Sequence, residues 1–229
     1  MRIHRSTDPT RSAAPTRRRR FLTRPRGLAA VLVLGAALAG TVVWKLETPR
    51  TILAFGDSYF SGYGVEPEES FPSRLEAALH EHGYHARVLN LGVPGETIAD
   101  GLDRLDDALA RKPDLIILEF GANDAEQGLD PVVSRKNLDR MLAKIRAAHV
   151  HVLLCGTTAP AEMGPTYQAR FDPIFTALAR KHRVPLYPDV LDGVADDSDL
   201  IQDDGEHPNP RGVQVMVDRM LPAVESIFR

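Results

Sequence analysis

Cysteine is nearly missing from this chain of 229 residues: Cys155 stands alone, so no internal disulfide can form. A domain without that staple is held by its apolar core, and about 180 residues suffice to build one. Tryptophan is as scarce. The only one, Trp44, falls in an N-terminal apolar run, and the rest of the chain is poor in the exposed aromatics that carbohydrate sites use. Acids are missing from the first 26 positions except for Asp8, in a stretch that holds nine arginines. From residue 46 the balance reverses to 18 Lys and Arg against 30 Asp and Glu, a net of −12. A surface of that sign is a poor landing site for DNA or RNA, so no nucleic-acid partner is expected. Internal repeats, low-complexity linkers and signs of a second domain are absent after residue 50.

What is there begins with a leader. The basic start is followed by an uncharged run, Gly27 to Trp44, with a small-residue exit at Ala37-Leu38-Ala39, the layout of a secretory signal. Arg18-Arg19-Arg20-Phe21-Leu22 also resembles a twin-arginine export signal, although Arg24-Pro25-Arg26 interrupts the approach to the apolar centre. The alternative is an uncleaved anchor, because residues 27–44 would span about 27 Å as a helix, near the minimum for a hydrocarbon core. The arginines would then stay cytoplasmic. Either way the chain divides into a leader, 1–45, and an exported domain, 46–229.

That domain alternates strand and helix signals. Residues 51–55, 87–91, 114–119 and 151–155 are short apolar runs closed by Gly, Asn or Asp, as buried parallel strands are. Val184-Pro185-Leu186-Tyr187 is a fifth candidate, and its proline favours a sheet edge. Helical stripes lie between them: Phe71, Leu75, Ala78 and Leu79; Leu138, Met141, Leu142 and Ile145; Phe171, Ile174, Phe175, Leu178 and Ala179; Val213, Val217, Met220, Leu221 and Val224. The pattern predicts one α/β domain with a doubly wound sheet, whose ligands sit at the C-terminal strand ends. Gly56-Asp57-Ser58, Gly92-Val93-Pro94-Gly95 and Gly121-Ala122-Asn123-Asp124 follow the first three strands and converge there.

Those loops carry acyl-transfer chemistry. Ser58 follows a strand and opens a predicted helical turn, which exposes its hydroxyl and aims nearby N–H groups at one point. A serine hydroxyl needs a base, and imidazole titrates in the range that suits this work. His207 is the candidate base, and Asp204, three residues earlier, the carboxylate that orients it. Backbone N–H groups of Ser58 and Gly95 and the Asn123 amide are candidate donors to the oxyanion. Asp57 and Asp124 read as supports for their turns, Ser61 and Asp203 as decoys. His80, His82 and His85 crowd a helix end without a ligand pattern. Asp196, Asp197, Asp199 and Asp203 lack the spacing and central glycine of a calcium loop.

Gly56-Asp57-Ser58, Gly95, Gly121-x-Asn123-Asp124 and Asp204-x-x-His207 together resemble, in order, the four blocks of the SGNH (GDSL) hydrolases, over residues 51–227. Gln202-Asp203-Asp204-Gly205-x-His207-Pro208-Asn209 is most similar to the bacterial arylesterase and multifunctional thioesterase/lysophospholipase branch. The resemblance implies a three-layer α/β/α sandwich with a flavodoxin-like, mostly parallel five-stranded sheet. It implies Ser58 as nucleophile, Asp204 and His207 completing the triad, Ser58, Gly95 and Asn123 forming the oxyanion hole, and neither metal nor cofactor. The substrate class it implies is a small ester, thioester or lipid. Tyr59-Phe60 departs from the smaller residues common in that branch and bears on pocket width. A carbohydrate O-acetylesterase and a non-catalytic, membrane-tethered binding protein of the same fold are the alternatives.

Overall fold

The computed structural model describes residues 48–228, so the expected signal or anchor within 1–45 lies outside the described residues. Five parallel strands pair in the order β2-β1-β3-β4-β5: β1 (Arg50–Gly56), β2 (Ala86–Gly92), β3 (Leu115–Leu118), β4 (His151–Cys155) and β5 (Leu186–Tyr187). This is the doubly wound, flavodoxin-like order, with its switch point at β1 and β3. Register is fixed by pairs such as Ile52 with Val88 and with Leu115. Pro185 sits just outside the edge strand β5, where its missing N–H costs no ladder bond, and its carbonyl accepts from Leu154 N at 3.1 Å.

Alternation along the strands makes two cores. Ile52 and Ala54 of β1 face α2 (Phe71–Glu81) and α8 (Pro210–Ile227), meeting Leu75, Leu79, Val213, Met216, Val217 and Met220. Leu53 and Phe55 face the other layer, formed by α3 (Ile98–Ala110), α5 (Pro131–Ala147) and α7 (Pro173–His182). Among the described residues the core residues run from Ile52 to Val224. Among the described residues no helix is long and apolar enough to cross a membrane.

Two helical elements differ from the sequence reading. Helix α3 has no counterpart there, although it announces itself by a capping box: Thr97 accepts from Asp100 N while Asp100 takes Thr97 N. The stripe read as continuous from Phe171 to Ala179 is two helices, α6 (Gly164–Phe171) and α7. Pro173 opens the second, and Asp172 between them takes Ala159 N at 2.9 Å. The short helices α1 (Ser58–Ser61) and α4 (Ala122–Glu126) follow β1 and β3 directly and belong to the site.

Candidate active site

Ser58 opens α1, where the chain turns sharply out of β1. Asp57 caps the turn, its Oδ1 accepting from Tyr59 N at 3.1 Å. The turn is pressed onto β2: a side chain at Gly92 would run into the backbone of Ser61 and Phe60. Ser61 spends its hydroxyl on the Ser58 carbonyl at 3.0 Å, whereas the Ser58 hydroxyl has no hydrogen-bond partner among the described residues. Phe60 stacks on Phe71 in the core at 4.5 Å, so of the two aromatics after Ser58 only Tyr59 shapes the site.

Asp204 and His207 share one turn ahead of α8. His207 Nδ1 lies 2.8 Å from Asp204 Oδ2, and Asp204 Oδ1 accepts from the amides of Glu206 (2.9 Å) and His207 (3.0 Å). Those two amides, then the imidazole, pull the Asp204 carboxyl down to about 2. Asp203 makes no such contact. The loop hangs over α1: the His207 ring centroid is 4.5 Å from that of Tyr63 and 5.8 Å from that of Tyr59. Gln202 ties the two loops together, its Nε2 donating to Tyr63 O and to Pro208 O, each at 2.9 Å.

The Gly95 turn comes from β2. Gly95 sits at φ 81°, in the left-handed region, and neither its N–H nor that of Ser58 meets a backbone acceptor among the described residues. Asn123, on α4, donates through Nδ2 to Asp57 Oδ2 and to Glu96 O, both at 3.1 Å. Its two amide hydrogens are thus committed in this arrangement, and pointing one at a substrate requires the Glu96 carbonyl to give way. Asp124 accepts from Ile98 N (2.8 Å) and the Ser134 hydroxyl (2.7 Å), which pins α4 to α3 and α5.

Beneath the Ser58 turn lies a group that sequence reasoning passed over. Glu119 ends the apolar run of β3 and is 1% exposed; its Oε2 accepts from Asp57 N at 3.2 Å and its Oε1 is buried without a partner. It fits because residue 56 is glycine: a Cβ there would stand 2.5 Å from Glu119 Oε2. Burial, then the Asp57 charge, holds the Glu119 carboxyl well above its usual range, and burial pushes Asp57 up to about 6. Burial and the Asp57 charge both disfavour an ionised Glu119, so of these two neighbouring carboxyls Glu119 is the one that keeps its proton. The available signal was a charge closing an otherwise apolar strand.

A cavity of about 500 Å³ opens beside these loops, walled by Tyr59, Ala122 and Glu206, the chain neighbours of Ser58, Asn123 and His207, with Glu126, Asp189 and Leu191. Burial and the nearby Glu206 push Glu126 up to about 6. Three of the histidines and acids set aside above have other partners: His80 meets Ala86 O (2.6 Å), His82 meets Glu225 (2.6 Å), and Asp197 caps Asp199 N (3.0 Å). Among the described residues no group of three His, Cys, Asp or Glu is arranged to hold a metal ion.

Sheet order and site loops define a class, the flavodoxin-like hydrolases with serine, histidine and aspartate on strand-end loops. Residues 54–215 match the model of the GDSL-like lipase/acylhydrolase family, and the chain belongs to that family. It is 32% identical over 198 residues to esterase TesA of Pseudomonas aeruginosa, covering 86% of this chain and 98% of the relative. It is 37% identical over 165 residues to an arylesterase of Vibrio mimicus, covering 72% and 82%. The solved structure of AlinE4, an SGNH-hydrolase family esterase, superposes with a TM-score of 0.68 at 43% identity, over 80% of this chain and 99% of that one. This chain is accordingly an ester hydrolase of three-layer α/β/α architecture, acting on small esters or lipids.

Proposed function

We propose that Ser58 is the nucleophile of a double-displacement reaction. Its Oγ attacks the ester carbonyl and His207 Nε2 takes the proton. Asp204 fixes the ring through Nδ1, leaving Nε2 free to accept, and balances the imidazolium charge. The oxyanion meets the N–H groups of Ser58 and Gly95, joined by the Asn123 amide once it turns from Glu96. Collapse expels the alcohol with the proton from His207, and a water activated by His207 then releases the acid. The observation that carries this reading is the Asp204–His207 pair, bonded at 2.8 Å and hung over the Ser58 turn. An organophosphonate probe, with the adduct located by mass spectrometry, tests it. One adduct at Ser58 is expected, with activity lost in Ser58→Ala. An adduct at Ser61, or an active Ser58→Ala, refutes it.

Neutral aryl esters and zwitterionic lysophospholipids are the preferred substrates in this reading, ahead of acyl-CoA. Glu126, Asp189 and Glu206 on the cavity wall repel a polyphosphate leaving group. Arg170, the base that would have opposed them, is paired with Asp130 at 2.8 Å and lies off that wall. Residues 1–45 serve as the export leader and 46–229 as the catalytic domain, working outside the cytoplasm. Cell fractionation tests this: activity is expected outside the cytoplasm, soluble if cleavage follows Ala39 and membrane-bound if residues 27–44 remain. A wholly cytosolic full-length protein refutes it.

A further inference from the structure

Charge is sorted along the strands. The segments that enter strands (48–50, 82–87, 111–114, 146–151 and 180–185) hold eight Lys and Arg and one acid, Asp114. Those that leave strands (57–70, 93–97, 119–130, 156–172 and 188–209) hold nineteen acids and one base, Arg170. All five strands are parallel, so the first set forms one end of the domain and the second, with the catalytic loops, the other. Backbone bonds join the cationic end into one surface: Arg50 N to His85 O (2.9 Å), Asp114 N to Thr51 O (2.8 Å), His151 N to Asp114 O (3.3 Å). Asp114 is itself occupied, its Oδ2 taking Thr51 N at 2.7 Å. Of the bordering acids, Asp139 pairs with Lys181 and His182, Glu225 with His82 and Asp106 with Lys144, while Glu81 and Asp107 form no salt bridge with a described residue. Arg87, Arg111, Lys112, Arg146, Arg180 and Arg183 are exposed and likewise form none.

Cations in a last helical turn are ordinary, because the helix dipole favours them there. That accounts for Arg146 and Arg180. It does not account for Lys112, His149 and Arg183, which lie beyond their helices at φ 53°, 58° and 56°. Glycine is the usual occupant of such left-handed positions, yet these three hold the long or ring side chains, and they are the only non-glycine residues of positive φ among the described residues. His149 and Arg183 line a cleft of about 420 Å³ with Arg146, His151 and His182.

We propose that this end of the domain docks on the anionic headgroups of a lipid bilayer, turning the acidic catalytic mouth away from it. A flat anionic surface meets the cationic end alone, and its field repels the opposite end, so attraction and repulsion select the same orientation. A long flexible polyanion would instead extend beyond this end, in a domain whose net charge is −12. The inference rests on the charge pattern and not on the catalytic assignment.

The test uses the domain from residue 46, a size at which the similar esterase AlinE4, 99% of whose chain is matched by 80% of this one, is a folded protein. Co-sedimentation with vesicles of phosphatidylcholine containing about a third phosphatidylglycerol is compared with pure phosphatidylcholine at low and high salt. Binding only to the anionic vesicles, released by salt, is expected. Lys112→Gly with Arg183→Gly removes two charges and relaxes two left-handed positions, so folding is not at risk. It should weaken partition about 25-fold, about fivefold per charge, with kcat/KM on a water-soluble aryl ester unchanged. Equal binding to both vesicles, or a double variant that binds like the parent, overturns the proposal. Tighter binding to heparin or RNA than to the anionic vesicles, weakened by the same substitutions, overturns it too and reassigns this end to a soluble polyanion.

Discussion

Asp204 and Asp203 are adjacent acids with different fates, and single substitutions distinguish them. Asp204 uses Oδ2 on the imidazole and Oδ1 on two amides of its own turn, so its removal costs both the tautomer and the shape of the loop. Asp204→Asn should lower kcat by roughly 10²- to 10⁴-fold with little change in KM, and Asp203→Asn should stay within about twofold; initial rates over a substrate range check both. Glu119 acts one layer deeper. Its carboxyl receives Asp57 N and keeps its own proton beside the Asp57 carboxylate, which in turn holds the Asn123 amide. Glutamine reproduces a protonated glutamate, with one oxygen to accept and one N–H to donate. Glu119→Gln should therefore keep the fold and most of the activity. Glu119→Ala should lose about 2–4 kcal/mol on denaturant titration, because it opens a void and strands a buried amide. A glutamine variant as damaged as the alanine would show that the charge of Glu119, and not its proton, is what the site uses.

Helix α8 is held where its chain meets the Asp204–His207 loop. Asn209 caps it, Oδ1 taking Arg211 N and Gly212 N, while Nδ2 reaches back to Asp199 O and Ile201 O. Asn209→Ala should destabilise by about 1–2 kcal/mol in thermal or urea unfolding, and because His207 is two residues away it should lower kcat more than KM. The elements that were legible in the sequence are those with one strong periodic signal. Four apolar runs and an edge run at Pro185 give the five strands, and strand-end placement of Ser58, Gly95 and Asn123 follows from parallel topology. What escaped depended on weaker or conflicting signals. Helix α3 carries Asp103, Asp106 and Asp107 on its exposed face, and its buried stripe of Ile98, Gly101, Leu102, Leu105 and Ala108 is short of bulky residues. The break at Asp172 hides in a stripe that keeps its period across two helices. Glu119 and Gln202 matter through tertiary partners that no local pattern names.

At the scale of the whole domain, buried and exposed carboxyls pull stability in opposite directions with pH. Glu119 and Asp57 bind protons more tightly folded than unfolded, so their contribution is full below about pH 4 and is lost as pH rises, through about 6 for Asp57 and higher for Glu119. Asp204, Asp100 and Asp139 bind protons more weakly when folded, so theirs is present above about pH 4 and is lost as pH falls toward 2. Tm should therefore peak at about pH 4–5, and Glu119→Gln should flatten its alkaline side; a Tm that climbs steadily from pH 5 to 8 would contradict the carboxyl pair. The acidic mouth has a kinetic counterpart. For an acyl-CoA and an uncharged ester of one acyl chain, kcat/KM should be lower for the thioester and should rise with salt as repulsion is screened. A thioester favoured at low salt would reverse the sign assigned to the cavity. Cys155 ends β4 inside the sheet, 1% exposed, its thiol raised first by burial and then by Glu119. Being the only thiol in the chain, it gives the molecule a clock: a thiol-specific chromogenic reagent can react only when the sheet opens, so the pseudo-first-order rate reads the opening frequency of β4 without any engineered label.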